Sequence, residues 1–244
     1  MKVVILAGGL GTRLSEYTNT IPKPMVKIGP YPITVHILKH YINYGFNDFI
    51  LATGYKSHVF KKYFKNFKKI GLEFNATIMK KKCKINIVDT GKKTLTGGRL
   101  RRVKKFLPIN ENFLFTYGDG VSNINIKKLV SFHLKRKKII TVTAVRPPAR
   151  FGEIVIKNNS VISFKEKPQT SKGWINGGFF VANTKFLKFI RGDSEILEKH
   201  PLEHATKLRQ LSAFKHYGFW KCMDVKRDRD ELQKIYKKNG FNWY

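Results

Sequence analysis

Short apolar runs alternate with segments of helical spacing through the first 150 residues of the chain. A short apolar run bounded by turn residues is typical of a buried strand, whereas apolar residues three and four positions apart predict a helix. The predicted strands are residues 3–7, 48–53, 85–89, 113–117, 139–145 and 179–182. The predicted helices are residues 33–44, 59–67, 100–106, 126–136, 185–191, 202–211 and 227–238.

Strands that alternate with helices predict an α/β protein with a single doubly wound, mainly parallel sheet. The pattern changes after residue 150, where residues 153–156 and 161–164 flank Asn158-Asn159, as in a hairpin. We therefore expect a small antiparallel addition in the C-terminal half of one domain covering residues 1–244. Ligands of such sheets bind at the carboxyl ends of the strands, which is where glycine and aspartate residues concentrate in this chain.

Cysteine content and hydropathy restrict the class of protein further. Cys83 and Cys222 are the only cysteines, too few for a disulfide scaffold, so we expect a reducing compartment, the cytoplasm. No apolar run reaches the ~18 residues of a membrane span. The short apolar run at the N-terminus ends in glycines and predicts a first strand, not a signal peptide.

The formal net charge is +32, from 48 Lys and Arg against 16 Asp and Glu. Such a charge fits a polyanionic partner such as nucleic acid, an anionic membrane or a phosphorylated substrate, or else the codon usage of an AT-rich genome. Lysine greatly outnumbers arginine and is scattered along the chain, whereas nucleic-acid interfaces use arginine heavily. We therefore attribute most of the charge to codon usage and expect neither nucleic acid nor a membrane as a partner.

A glycine-rich turn, Gly8-Gly9-Leu10-Gly11-Thr12-Arg13, follows the first predicted strand. Closely spaced glycines expose backbone amides to an anionic ligand, and Arg13 adds a guanidinium suited to phosphate. Leu14 stands where the dinucleotide fingerprint needs glycine, and Gly-Thr-Arg replaces the Gly-Lys-Ser/Thr of a P-loop. About ten residues later, Pro22 and Pro24 hold Lys23 in a rigid segment.

Together, these two motifs resemble the sugar-phosphate nucleotidyltransferases, and the segments that follow are similar to the glucose-1-phosphate cytidylyltransferase branch of that family. The resemblance spans nearly the whole chain, keeps the family's order and implies a Rossmann-like nucleotidyltransferase fold. The similar segments are Asp89-Thr90-Gly91, Thr96-Gly97-Gly98-Arg99-Leu100, Phe115-Thr116-Tyr117-Gly118-Asp119-Gly120-Val121, Phe164-Lys165-Glu166-Lys167-Pro168, Ile175-Asn176-Gly177-Gly178-Phe179-Phe180 and Gly218-Phe219-Trp220-Lys221-Cys222-Met223-Asp224.

The resemblance implies Mg²⁺-assisted transfer of a cytidylyl group from CTP to α-D-glucose 1-phosphate, giving CDP-glucose and pyrophosphate. The attacking sugar phosphate is already an anion, so the reaction needs positioning and positive charge more than a general base. By resemblance, Arg13 and Lys23 are the catalytic cations, and Asp119 and Asp224 bind Mg²⁺, which prefers carboxylate and phosphate oxygens.

The resemblance also divides the chain into a nucleotide-binding part, about residues 1–125, and a sugar-phosphate-binding part, about residues 126–244. It further implies a homo-oligomer. The nucleotide-binding residues it implies are Leu6, Ala7, Gly8, Gly9, Gly11, Thr12, Arg13, Lys23, Thr96, Gly97, Arg99 and Asp119. The sugar-phosphate-binding residues it implies are Glu166, Lys167, Asn176 and Gly177.

One segment departs from the cytidylyltransferase pattern. The chain between Phe67 and Asp89 is shorter than in that branch by roughly ten residues and is very basic. This leaves open the oligomeric state and the choice of base. A sister enzyme that uses dTTP, UTP or GTP, or another sugar 1-phosphate, is the nearest alternative. An inactive nucleotide-binding regulator and a basic nucleic-acid-binding protein are more distant ones.

Three further patterns in the sequence have simple structural explanations. His200-Pro201-Leu202-Glu203-His204 matches a zinc-peptidase motif, but Pro201 places His200 at or before the helix start, and no third ligand is evident. His36 and His40 lie four apart among apolar residues, which favours packing or solvent exposure. The aromatic and lysine residues of 60–67 favour an amphipathic helix over stacking on single-stranded nucleic acid.

Overall fold

The computed structural model describes residues 1–65, 68–70, 73–146, 153–165 and 173–240. The strands are β1 Val3–Ala7, β2 Lys27–Ile28, β3 Tyr31–Pro32, β4 Asp48–Thr53, β5 Lys68–Ile70, β6 Glu73–Ile78, β7 Lys81–Asp89, β8 Asn112–Tyr117, β9 Gly120–Ser122, β10 Ile140–Val145, β11 Glu153–Lys157, β12 Ser160–Lys165, β13 Ile175–Asn183, β14 Leu211–His216 and β15 Trp220–Cys222. The α-helices are α1 Ser15–Thr18, α2 Ile33–Asn43, α3 Ser57–Phe64, α4 Thr96–Val103, α5 Ile126–Arg136, α6 His200–Lys207 and α7 Lys226–Asn239. Short 3-10 turns cover Thr12–Leu14, Lys23–Met25, Lys104–Phe106 and Thr184–Phe189.

A nine-stranded sheet with the order β14-β10-β13-β8-β1-β4-β7-β6-β5 forms the centre of the molecule. β1 pairs in parallel with β4 and with β8, β4 pairs in parallel with β7, and β10 pairs in parallel with β14. β13 is antiparallel to both β8 and β10, and β6 is antiparallel to β7 and β5. Among the seven strands from β14 to β7, four of the six pairings are parallel, so the central part of the sheet is mainly parallel, which confirms the predicted fold class.

Helices cover both faces of this sheet, and the side chains of β1 show why. Val3 and Ile5 point into a core shared with α2, α5 and α7, whereas Val4 and Leu6 point into a second core shared with α4 and α6. All four are at most 7% exposed. A strand buried on both faces has a continuous apolar run, which is the pattern that predicted it.

The strand order reverses direction at β1. Successive strands β4 and β7 lie to one side of it, while β8 lies on the other. The loops that follow β1 and β8 therefore diverge and leave a crevice at the carboxyl ends of the strands, the usual ligand position in open α/β sheets.

The antiparallel hairpin predicted around Asn158-Asn159 is confirmed. β11 and β12 pair antiparallel, and both turn residues have positive φ, 48° and 60°, as in a tight hairpin turn. A second antiparallel addition, in the N-terminal half, was not predicted: β5 and β6 extend the sheet beyond β7. The paired strands β9 and β15 were also not predicted.

Two predicted helices in the C-terminal half differ in the structure. The predicted helix 202–211 ends at Lys207, because Arg209 adopts φ 54° and Leu211 begins β14, which adds to the edge of the sheet beside β10. The predicted helix 185–191 is a 3-10 turn, Thr184–Phe189. In the N-terminal half, α3 ends at Phe64, and residues 66–67 of its predicted range lie outside the described residues.

Candidate active site

A cleft of about 350 Å³ opens at the carboxyl ends of β1 and β8, where the strand order reverses. It contains most of the residues predicted for the nucleotide and the metal. The residues that line it are Leu6, Gly8, Gly9, Gly11, Thr12, Arg13, Lys23, Pro24, Thr94, Leu95, Thr96, Arg99, Tyr117, Gly118, Asp119 and Asp224. A larger groove of about 750 Å³, bordered by residues of α3 and α7, has none of the predicted site residues in its lining.

Two carboxylates converge on the ammonium group of Lys23 in this cleft. Lys23 Nζ lies 2.6 Å from Asp119 Oδ2 and 2.6 Å from Asp224 Oδ1, and the lysine side chain is only 12% exposed. Arg13 approaches the same cluster, with a guanidinium nitrogen 3.1 Å from Asp224 Oδ2, and its side chain is 69% exposed. The two predicted catalytic cations and the two predicted metal ligands therefore lie together.

Local structure explains how these residues meet. Pro22 is extended and begins the 3-10 turn that carries Lys23, while Pro24 packs on Gly118. Asp119 follows β8, and Asp224 follows β15. β9 pairs with β15, and the amide of Met223 donates to the carbonyl of Asp119 at 2.8 Å, which holds the two aspartates side by side.

The two carboxylates determine the charge state of Lys23. Burial lowers its pKa, but the ion pairs and hydrogen bonds with Asp119 and Asp224 outweigh burial, so the pKa is raised above its ordinary value. Lys23 therefore remains an ammonium at neutral pH. The cleft then presents one fixed, partly buried cation and one exposed cation to a phosphate ligand.

The glycine-rich turn is held in place by Arg99, which is 3% exposed. Its guanidinium donates to the carbonyls of Gly8 at 2.8 Å, Thr53 at 3.1 Å and Gly91 at 2.9 Å. These carbonyls belong to the ends of β1, β4 and β7 or to the loops after them. Arg99 thus ties three neighbouring loops together, and its hydrogen bonds within the protein suit a supporting role in the cleft wall.

The close approach of Arg99 requires glycine at position 8. A Cβ atom at Gly8 would lie 2.0 Å from a guanidinium nitrogen of Arg99, whereas one at Gly9 would meet nothing within 4 Å. Gly11 has φ 67° and its carbonyl accepts from the amide of Leu14. Two of the predicted glycines therefore serve the shape of the turn, while Gly9 faces open space. Ala7 is buried in β1 and does not line the cleft.

Thr96 and Gly97 join the start of α4 to the segment 193–198. The Thr96 hydroxyl accepts from the amide of Leu197 and donates to Glu198 Oε2, each at 2.9 Å. The amide of Gly97 donates to the carbonyl of Glu195 at 2.9 Å. Thr96 lines the cleft, whereas Gly97 is buried behind it.

The predicted sugar-phosphate residues are only partly described. Asn176 and Gly177 begin β13, where Asn176 Nδ2 donates to the Tyr117 hydroxyl at 3.1 Å. Trp220 Nε1 donates to the carbonyl of Gly177 at 2.7 Å. Glu166 and Lys167 lie outside the described residues.

Tyr117 and Glu198 are polar residues of this region that the sequence analysis did not assign to the site. The Tyr117 hydroxyl donates to Glu198 Oε1. Tyr117 lies within the motif Phe115–Val121, but Glu198 follows no strand and carries no motif, so the sequence offered no signal for it.

The geometry around His200 does not support the zinc alternative. The rings of His200 and His204 stack 5.3 Å apart, and a guanidinium nitrogen of Arg191 lies 2.5 Å from His200 Nε2. A cation in that position opposes a bound metal ion. Across the described residues, no group of three or more His, Cys, Asp and Glu side chains is arranged to hold a metal.

The described residues also include no helix with the length and hydropathy needed to cross a membrane.

Comparison with known proteins identifies the family. The model of the nucleotidyl transferase family matches residues 2–221, and the chain belongs to this family. Among curated proteins, the glucose-1-phosphate cytidylyltransferase of Salmonella typhimurium (strain LT2) is 43% identical over 253 residues, covering 100% of this chain and 98% of that protein. The probable glucose-1-phosphate cytidylyltransferase of Bacillus subtilis (strain 168) is 38% identical over the full length of this chain and 99% of its own.

Solved structures share the fold. HddC from Yersinia pseudotuberculosis, complexed with GMP-PN, superposes with a TM-score of 0.72 over 96% of this chain and 99% of its own, at 23% identity. A putative glucose-1-phosphate thymidylyltransferase from Bacillus anthracis gives a TM-score of 0.72 over 99% of both chains, at 20% identity. At these identities the likeness concerns the fold alone.

Proposed function

We propose that this protein transfers a cytidylyl group from CTP to α-D-glucose 1-phosphate, releasing CDP-glucose and pyrophosphate. The observation that carries the proposal is the convergence of Lys23, Asp119 and Asp224 in the crevice at the carboxyl ends of β1 and β8. The curated relatives of similar length that bear this activity in their names support the choice of substrates.

The reaction places two anions side by side. A phosphate oxygen of the sugar phosphate attacks the α-phosphorus of CTP in line, and the bond from that phosphorus to the pyrophosphate breaks. Lys23, held as an ammonium, and Arg13, exposed at the mouth of the cleft, lower the repulsion between these groups and stabilise the charge that builds on the leaving pyrophosphate. Since the nucleophile is already ionised, these two cations are the catalytic residues of the proposal.

The glycine-rich turn would hold the nucleotide. Its residues line the cleft, where exposed backbone amides suit an anionic ligand, and Arg99 ties the turn to the ends of β4 and β7. The proposed nucleotide site comprises Leu6, Ala7, Gly8, Gly9, Gly11, Thr12, Arg13, Lys23, Thr96, Gly97, Arg99 and Asp119. The proposed sugar-phosphate site comprises Glu166, Lys167, Asn176 and Gly177.

The donor set of the cleft fits Mg²⁺. Asp119 and Asp224 offer carboxylate oxygens close enough to contact one ammonium nitrogen, and Mg²⁺ usually takes one or two carboxylates together with phosphate and water. We propose that these two residues hold Mg²⁺. When bound, the ion neutralises charge on the triphosphate. Lys23, held by the rigid Pro22–Pro24 segment, would contact the same phosphates.

We further propose that the enzyme is a cytoplasmic homo-oligomer, because CTP is supplied in the cytoplasm and because the resemblance to the family implies oligomers. The chain has two cysteines, Cys83 and Cys222, too few for a disulfide scaffold, in keeping with a reducing compartment.

A pyrophosphate-release assay with CTP, dTTP, UTP and GTP, each with several sugar 1-phosphates, tests the proposal. We expect release with CTP and glucose 1-phosphate in Mg²⁺ and none with a chelator. Lys23→Met should abolish it, while Lys27→Met, on an exposed neighbouring lysine, should not. Release no faster than an enzyme-free blank with every pair would refute the enzyme. Release with another nucleotide but not CTP would assign the sister activity instead.

A further inference from the structure

Glu198 lies between the two proposed half-sites of the cleft. One of its carboxylate oxygens accepts from the Thr96 hydroxyl on the nucleotide side, and the other accepts from the Tyr117 hydroxyl on the sugar side. Glu198 is exposed to solvent, but the backbone that carries it is firmly held. Leu197 beside it is fully buried, and Cβ atoms at Gly97 and Gly98 would collide with the backbone of residues 193–195.

The hydrogen bonds of Tyr117 have a defined direction. A carboxylate only accepts, so the single hydroxyl hydrogen of Tyr117 goes to Glu198. A tyrosine hydroxyl ordinarily keeps its hydrogen at neutral pH, so Tyr117 has a hydrogen to donate. The Tyr117 oxygen is then an acceptor towards Asn176, whose Nδ2 lies 3.1 Å away.

The hydrogen bonds of Asn176 run in the same donor-to-acceptor direction. Its Nδ2 donates one hydrogen to Tyr117, and its Oδ1 accepts from the amide of Gly178 at 2.8 Å. The Tyr117 ring packs so closely on Gly178 that a Cβ there would lie 2.6 Å from a ring carbon. The second hydrogen on Nδ2 then remains to donate to a ligand oxygen.

We infer that Glu198 is a positioning residue that, through Tyr117, fixes the amide of Asn176 as a hydrogen-bond donor to the sugar of the sugar 1-phosphate. This inference rests on the proposed function, since Asn176 is assigned there to the sugar-phosphate site. Glu198 does not touch the reacting atoms. Its carboxylate sets the donor-to-acceptor direction of the hydrogen-bond chain that runs from Asn176 through Tyr117 to Glu198.

Glu198→Gln tests this direction. Glutamine has nearly the size of glutamate but keeps a single acceptor oxygen for the two hydroxyls of Thr96 and Tyr117, so it no longer fixes the direction of the Tyr117 hydroxyl. In steady-state kinetics we expect the KM for glucose 1-phosphate to rise about tenfold, with the KM for CTP changed less than twofold. Glu203→Gln, on an exposed part of α6, makes the same change of charge and should alter neither KM.

Tyr117→Phe removes the hydroxyl in the middle of the hydrogen-bond chain. It provides a second test if Glu198→Gln folds poorly. We expect the same selective rise in KM, and no further rise in the double variant, because both substitutions interrupt one chain. A KM for glucose 1-phosphate within twofold of wild type in both single variants would overturn the inference. An equal rise in the KM of both substrates would also overturn it. A wild-type protein without turnover would overturn the proposed function itself, and this inference with it.

Discussion

The ammonium of Lys23 contacts carboxylates that lie on two distant segments of the chain, after β8 and after β15. Each contact is 2.6 Å long, and the lysine is largely shielded from solvent. In this cluster two carboxylates face two cations, Lys23 and Arg13, so the local charges balance in a protein whose total charge is +32. A divalent cation and an anionic nucleotide that bind together disturb this balance less than either would alone.

Asp119→Asn and Asp224→Asn should each lower kcat by on the order of 100-fold or more, because each removes a charged oxygen of the proposed Mg²⁺ site without changing side-chain size. Asp48→Asn is the matched control, since Asp48 pairs with Lys2 at the opposite end of the sheet. Pyrophosphate release measured over a range of Mg²⁺ concentrations separates weaker metal binding from slower turnover. Activity like that of the wild type in either variant would remove that residue from the proposed metal site.

At the scale of elements, the site depends on how three strand ends are tied together. The guanidinium of Arg99 reaches carbonyls at the ends of β1 and β4 and in the loop after β7. Arg99 belongs to α4, so the helix also sets the position of the glycine-rich turn. The sequence motif placed Arg99 in the site, but its hydrogen bonds within the protein could not be inferred, because they depend on which strand ends are neighbours.

Gly8→Ala and Gly9→Ala form a matched pair that tests this arrangement. The new methyl group at position 8 would overlap Arg99, so we expect Gly8→Ala to lower the free energy of unfolding by about 1–3 kcal/mol. At position 9 it meets open space, and the expected change is within about 0.5 kcal/mol. Urea denaturation of both variants measures the difference. Equal stabilities would contradict the role given to Arg99.

At the scale of the whole molecule, the excess positive charge lies mostly outside the cleft. Arg13 and Lys23 line the cleft and are placed to contact a phosphate. The chain has 48 Lys and Arg in all, so these two are a small part of its positive charge. A positive field of this size attracts anionic substrates over distances of about a Debye length. The charge therefore favours capture of CTP and of the sugar phosphate without specifying either.

Raising the salt concentration from about 0.02 M to about 0.3 M should increase the KM for CTP several-fold and leave kcat nearly unchanged, because screening weakens the approach of the nucleotide more than the fixed contacts within the cleft. Initial rates at constant free Mg²⁺ measure both quantities. A KM that does not change with salt would show that the surplus charge has no part in substrate capture.

The sequence by itself determined the local features of this protein: the buried strands, the glycine-rich turn, the proline-held lysine and the class of fold. These follow from hydrophobic spacing and turn chemistry, which act between near neighbours. It did not determine the antiparallel extension by β5 and β6, the end of the helix at Lys207, or the contacts of Glu198.

Only the tertiary structure decided which distant residues share the cleft. Asp119 and Asp224 meet because β9 pairs with β15, and Glu198 reaches Tyr117 because the segment 193–198 packs on the start of α4. Strand pairing and packing of this kind depend on burial across the whole sheet, so no local pattern records them.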